Sequence, residues 1–260
     1  MTNSSAGNAW RPWLSERAVE LASSILFLTR LPLPRATPTG AAIAEAAWAF
    51  PVAGVLIGVI GALIYALAHW AGLPAWPAAA LSVAATLAAT GCLHEDGLAD
   101  TADGFGGGKT REQKLAIMRD GRVGAYGVCA LSLAILVRVS ALASLADTAL
   151  VAPALIAAHG AARATMPALM FLLSPARSDG LSHDAGRPAG TIVAVAALLG
   201  LLILAGCVGL VPAIAAAILL AIVIALMAWL SATQIGGQTG DVVGALEQVS
   251  EIVILLVALG

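Results

Sequence analysis

Residues 48–70 read WAFPVAGVLIGVIGALIYALAHW, with no Asp, Glu, Lys or Arg among them. A helix rises about 1.5 Å per residue, so roughly 20 apolar residues cross a hydrocarbon layer about 30 Å thick. This stretch meets that length and ends on an indole at each side, Trp48 and Trp70. Amphipathic rings of this kind prefer the headgroup level. Gly54, Gly58 and Gly61 recur at three- and four-residue spacing, which makes one face of the helix smooth enough for close packing in lipid. Similar apolar runs cover 74–93, 123–146, 150–173, 191–210 and 212–231. Two weaker segments flank them. Residues 19–31 are short and suit a re-entrant or interfacial helix, and 252–260 form a truncated apolar tail. The predicted fold is all-α: a polytopic transmembrane helical bundle of about six clear spans plus weak N- and C-terminal apolar helices. Residues 1–260 are expected to form a single integral membrane domain.

Composition agrees. Hydrophobic residues make up 60% of the chain and charged residues 11%, against roughly a quarter charged in soluble domains. Mean hydropathy is +0.94. The net charge of −2 leaves no broad basic surface for nucleic acid. Cys92, Cys129 and Cys207 are far apart, mostly in apolar sequence, without metal or disulfide spacing. The polar N-terminus, 1–13, has no apolar h-region, so no cleavable signal is expected.

The basic residues set the orientation. Arg11, Arg17, Arg30 and Arg35 precede the first clear span. Lys109, Arg111, Lys114, Arg119 and Arg122 follow the second, and Arg177 and Arg187 follow the fourth. The alternate connections, 71–73, 147–149 and the turn near Val211, contain no Lys or Arg. By the positive-inside rule the three basic segments are cytoplasmic. The polar loops near 94–122, 174–190 and 232–251 then all face one compartment.

The densest polar stretch is His94-Glu95-Asp96-Gly97-Leu98-Ala99-Asp100-Thr101-Ala102-Asp103-Gly104. If helical, it places Asp96, Asp100 and Asp103 on one face. Carboxylates so arranged repel one another unless a cation joins them, and oxygen ligands at a membrane edge suit Mg²⁺ or Mn²⁺. A solvated acidic helix end is the plainer alternative. In Ile117–Gly127, Arg119 and Arg122 present fork-shaped donors suited to phosphate oxygens, while Asp120 either joins a metal or pairs with an arginine. Arg163 and Arg138 lie inside spans, where an ionisable group implies a partner and a role. Arg163 sits one turn after His159 and faces the carboxylates or an anionic substrate; for Arg138, deeper and on the far half, a structural role or snorkelling competes with a functional one. Gln234-Ile235-Gly236-Gly237-Gln238-Thr239-Gly240-Asp241 is a Gly-punctuated polar segment. Its Asp241 is a further candidate carboxylate or a helix cap. Glu247 and Glu251 share a helical face, without a legible role.

These segments resemble the cobalamin synthase family, the adenosylcobinamide-GDP ribazoletransferases. The matching stretches are Phe27–Pro32, Phe50–Gly54, His94–Gly104, Ile117–Gly127 and Gly236–Asp241, in the family's order and over nearly the whole chain. The resemblance implies transfer of the phosphocobinamide group of adenosylcobinamide-GDP to α-ribazole or its 5′-phosphate, with GMP released and Mg²⁺ required. It implies metal binding by Asp96, Asp100 and Asp103, with Glu95 beside them. Arg119, Arg122, His94, Gln238, Thr239 and Asp241 are implied as substrate contacts, and Arg163, Asp103 and Asp120 as catalytic groups, one carboxylate acting as general base. Glu95 departs from the family, which often carries an apolar residue there. The implied setting is a bacterial inner membrane with lipid around the spans, and the small-residue faces also suit a homo-oligomer. Two other readings compete. A CDP-alcohol phosphotransferase-like enzyme is suggested by Asp100-Thr101-Ala102-Asp103-Gly104, although the Ala-Arg that should follow is missing. An ion or solute transporter is suggested by the intramembrane arginines, although the charges cluster in loops and no inverted repeat is visible.

Overall fold

The computed structural model describes residues 10–33 and 42–260. Arg35 and the polar residues 1–9, read above for orientation and signal content, lie outside that range. The helices are α1 (Trp10–Leu28), α2 (Ile43–Ala46), α3 (Phe50–Trp70), α4 (Ala75–Thr90), α5 (Leu93–Gly107), α6 (Arg111–Ile117), α7 (Ala125–Leu145), α8 (Thr148–Leu172), α9 (Leu181–Ala185), α10 (Gly190–Val208), α11 (Leu210–Ile235) and α12 (Gly240–Val257). No strand occurs among the described residues, only an isolated bridge between Pro175 and Gln238.

Five helical segments are long and apolar enough to cross a membrane: Ile43–Trp70 and helices α7, α8, α10 and α11. The polytopic helical bundle expected from the apolar runs is therefore present. The run at 74–93 differs from a simple span. α4 has 16 residues, about 24 Å, and stops at Gly91 and Cys92, both left-handed with φ of 65° and 58°. α5 then departs at 90°.

Much of the sequence expected to be loop is helix. The polar block from His94 onward forms α5, and the 232–251 segment divides between the end of α11 and an unbroken α12 that continues into the apolar tail as far as Val257. Partners on other elements neutralise or hydrogen-bond Glu95 and Asp103 on α5 and Asp241, Glu247 and Glu251 on α12. Sequence periodicity does not reveal those partners.

α3 and α8 pack backbone to backbone. A Cβ on Gly54 would meet the His159 carbonyl oxygen at 2.1 Å, and one on Gly58 the Leu155 oxygen at 2.6 Å, so the glycine spacing serves packing. α10 and α11 turn leucines and isoleucines such as Leu202 and Ile218 outward, as lipid-facing surfaces do. Trp70, Trp76 and Trp229 are exposed near helix ends, in keeping with interfacial anchoring.

Two apolar clusters fill the interior. One contains Tyr65, Leu142, Leu155, Leu204 and Leu255, the other Phe50, Met166, Leu169, Val242 and Leu246. Along α8 and α12 the boundary between them falls at His159, Arg163, Glu247 and Glu251. A buried ionic layer thus separates two hydrophobic ones. Arg138 Nη1 lies 3.0 Å from Glu95 Oε1 and 3.3 Å from Glu251 Oε1. Arg163 Nη1 lies 2.6 Å from Glu247 Oε1. His94 and His159 approach Glu247 and Glu251, each at 3.1 Å. Burying one such charge unpaired in hydrocarbon is expensive, so each arrives with a counter-charge. Arg138 thereby has the structural role.

Candidate active site

α5 distributes its acidic residues in different directions. Glu95 points inward to Arg138 and is buried, turned from the metal role implied for it. Asp103 accepts hydrogen bonds from the backbone N–H groups of Gly124 at 2.7 Å and Gly127 at 2.9 Å. Those are the N-cap and third helical residues of α7, whose N-cap glycine has no side chain to satisfy them. Asp103 therefore caps α7 from another helix and places negative charge at the positive end of its dipole.

Asp96 is exposed and Asp100 half-buried. Neither side chain has a hydrogen-bond or ion-pair partner among the described residues. Asp241 joins them from the first turn of α12. A Cβ on Gly97 would stand 2.7 Å from the Asp241 carbonyl oxygen, so only glycine lets α5 and α12 approach this closely. Asp96, Asp100 and Asp241 are electrostatic neighbours. Thr239 caps α12 by accepting from Val242 N–H and donates its hydroxyl to Asp241 at 3.0 Å. Arg177 Nη2 donates to the same carboxylate at 3.0 Å.

A cavity of about 280 Å³ opens here, with His94, Asp96, Arg119, Arg177, Ser182 and Asp241 among its lining residues. Arg119 stands at its exposed rim and pairs with Asp179. Arg163 and Glu247 meet His94 from behind, Arg163 Nη2 lying 3.3 Å from His94 Nδ1. The buried His94 Nε2 has no hydrogen-bond partner among the described residues. Gln238 is buried and accepts from Ser182 at 2.5 Å. Its backbone exchanges hydrogen bonds with Ser174 and Ala176, tying the segment before α9 to the loop before α12. Arg111 reinforces that tie by donating to the Ile235 and Ala176 carbonyls.

The structure therefore brings together His94, Asp96, Asp100, Arg119, Asp241 and, behind them, Arg163, with Gln238 and Thr239 shaping the walls. It leaves out Glu95, Asp103, Asp120 and Arg122. Asp120 and Arg122 form a solvent-exposed pair at 2.6 Å, and the hydrogen bonds from Arg122 hold the Asp120 carboxyl below the usual carboxylate range. A carboxylate so stabilised is a weaker base.

Arg177 is the residue that sequence reasoning passed over: it counted only as a topology signal, and nothing local marks a lone arginine as a partner of Asp241. His159, Glu247 and Glu251 also bring potential ligand atoms within 4.8 Å of one another. Arg163 and Arg138 already occupy those carboxylates, so the group is an ion-pair layer. The less encumbered oxygens belong to Asp96, Asp100 and Asp241, hard donors of the type Mg²⁺ takes, although among the described residues this trio does not close to that 4.8 Å spacing.

Residues 20–259 match the family model described as cobalamin-5-phosphate synthase. An adenosylcobinamide-GDP ribazoletransferase of Mesorhizobium japonicum is 53% identical over 249 residues, covering 94% of this chain and 95% of the relative. One of Bradyrhizobium diazoefficiens is 55% identical over 233 residues, 89% of this chain and 90% of the relative. A third, of Xanthobacter autotrophicus, is 46% identical over 94% of this chain and 96% of its own length. No solved structure matches the chain significantly. With the model and these relatives spanning almost every helix that builds the cavity, the chain belongs to the cobalamin-5-phosphate synthase family.

Proposed function

We propose that this protein transfers the phosphocobinamide group of adenosylcobinamide-GDP to α-ribazole or α-ribazole 5′-phosphate. GMP leaves and adenosylcobalamin or its 5′-phosphate forms. The observation that carries this reading is a cavity lined by Asp96, Asp241, Arg177 and Arg119, with Asp100 coupled electrostatically to both carboxylates from beside it. Phosphoryl transfer asks a protein for positioning and charge neutralisation more than for covalent chemistry.

A ribose hydroxyl of the ribazole attacks the phosphorus esterified to the cobinamide. The new P–O bond forms as the bond to the GMP oxygen breaks, and the hydroxyl proton passes to a cavity carboxylate, Asp96 or Asp241. Arg119, at the mouth, and Arg177 donate to the diphosphate oxygens and offset the charge that develops on the leaving GMP. Asp96, Asp100 and Asp241 would hold Mg²⁺, which when bound neutralises the diphosphate. Arg163 acts from below by holding Glu247 and His94 in place. The loop pair joined by Gln238 keeps Arg177 against Asp241.

The basic segments before α7 and between α8 and α10 carry the site, and the connections on the opposite face lack Lys and Arg, which supports a cytoplasmic active site in an inner membrane. The test is GMP release and corrinoid product formation by the full chain reconstituted in lipid, given adenosylcobinamide-GDP, α-ribazole and Mg²⁺. Well-folded protein that forms neither product overturns the reading.

A further inference from the structure

The cavity has two unlike sides. One carries Asp96, Arg119, Arg177 and Asp241. The other is built from Phe27, Phe50, Met118, Met166, Met170 and Val243, all part of or packed on one apolar cluster. Phe50 is fully buried, and the three methionines are 3–5% exposed. The Phe27 and Phe50 rings lie 6.0 Å apart and 16° from parallel. Arg119 and Leu181 of the lining are exposed whereas Phe50 and the methionines are buried, so the buried apolar residues form the floor and the exposed ones the mouth.

We infer that this floor is the subsite for the aromatic base of the ribazole, and that Met118, Met166 and Met170 set which base fits. The inference rests on the ribazoletransferase reading. Of the aromatic parts of the two substrates, the corrin is far too large for the space. Guanine carries donors and acceptors around its edge, and side chains of Phe, Met and Val leave these unpaired, at a cost for each. A dimethylbenzimidazole offers two flat faces, two methyl groups and one free ring nitrogen, so it matches a floor of this composition. Thioether sulfurs and ring edges contact such a heterocycle favourably, and offset stacking on Phe50 adds to it. His94 lines the same cavity, and its buried Nε2 has no hydrogen-bond partner among the described residues; an N–H there would donate to the free ring nitrogen of such a base. With the base on the floor, its ribose lies towards Asp96 and Asp241, where the attacking hydroxyl has to stand. The diphosphate of the second substrate is then met from the mouth by Arg119 and Arg177.

The test compares Met166→Phe and Met170→Ala with wild type as full-length chains in detergent, after gel filtration confirms a single folded species. Two readouts are used: direct binding of α-ribazole by equilibrium dialysis without the second substrate, and kcat/KM with α-ribosides of benzimidazole, dimethylbenzimidazole and a larger tricyclic imidazole. Met166→Phe is expected to shift preference towards the smaller base, and Met170→Ala towards the larger, each by about tenfold or more. KM for adenosylcobinamide-GDP is expected to stay within about twofold, as no contact to it changes. If both folded variants keep the wild-type order of bases, or if KM for adenosylcobinamide-GDP is what moves, the assignment is overturned. Wild type that binds α-ribazole in a Met166-dependent way but releases no GMP keeps the subsite and loses the activity. Wild type that turns over with base selectivity indifferent to both positions does the reverse. Protein that neither binds α-ribazole nor turns over loses both.

Discussion

Arg163 Nη1 stands 2.6 Å from Glu247 Oε1 with both side chains sealed from solvent, and this pair forms the back of the cavity through His94. Removing one partner leaves the other charged and buried, which typically costs about 3–5 kcal/mol. Arg163→Met and Glu247→Leu should each lower the thermal midpoint in detergent sharply, whereas the double variant should recover much of the loss. Additive losses in the double-mutant cycle would show that the two side chains do not couple.

Asp96, Asp100 and Asp103 fall on one helical face by sequence but should respond differently to substitution. Asp96→Ala and Asp100→Ala are expected to reduce GMP release on the order of 100-fold with little change in thermal midpoint, since the first removes a charge from the cavity and the second one coupled to it. Asp103→Ala removes the cap of α7 and should destabilise by about 1 kcal/mol or more, with the smaller loss of activity. Equal activity losses at matched stability for all three would contradict the division of labour described here.

Arg177 and Arg122 offer a second contrast. Arg177→Gln separates Asp241 from its partner and takes a donor from the cavity, so turnover should fall on the order of 100-fold. Arg122→Gln disturbs only an exposed local pair with Asp120, and turnover should stay within about twofold. Steady-state rates on the two reconstituted variants decide the matter, and a reversed order would place phosphate recognition at the α6–α7 turn.

Gly97→Ala tests the close approach of α5 and α12. The added methyl would sit 2.7 Å from the Asp241 carbonyl oxygen, so the helices have to separate. Activity should collapse even though no side-chain chemistry is lost, and the Mg²⁺ concentration giving half-maximal rate should rise as Asp241 moves from Asp96 and Asp100. Wild-type kinetics in this variant would show that the contact is not needed.

The helical spans were legible in the chain because a bilayer imposes a local rule. About 20 apolar residues must run together whatever the rest of the protein does, and 48–70 satisfies it unaided. The common face of the polar segments followed from counting Lys and Arg, again a local property. The His94–Gly104 and Gly236–Asp241 segments marked the site, because clustered carboxylates and glycines are rare beside apolar runs. The helical character of α5 and α12 was harder to read, since like charges along one face disfavour a helix until partners arrive from elsewhere.

Those partners belong to the tertiary structure alone. Glu95 and Asp96 are adjacent in the chain, yet one meets Arg138 in the interior and the other opens onto the cavity. Asp103 lies within a turn of Asp100 on the same helix but is claimed by the α7 amides. Asp241 joins the α5 carboxylates from well over 100 residues away, with Arg177 beside it. Chain chemistry therefore determined a membrane bundle with one charged face and a family motif. Which carboxylate caps, which pairs and which faces substrate was decided by the fold, because a carboxylate's role depends on the donors and charges packed against it in three dimensions.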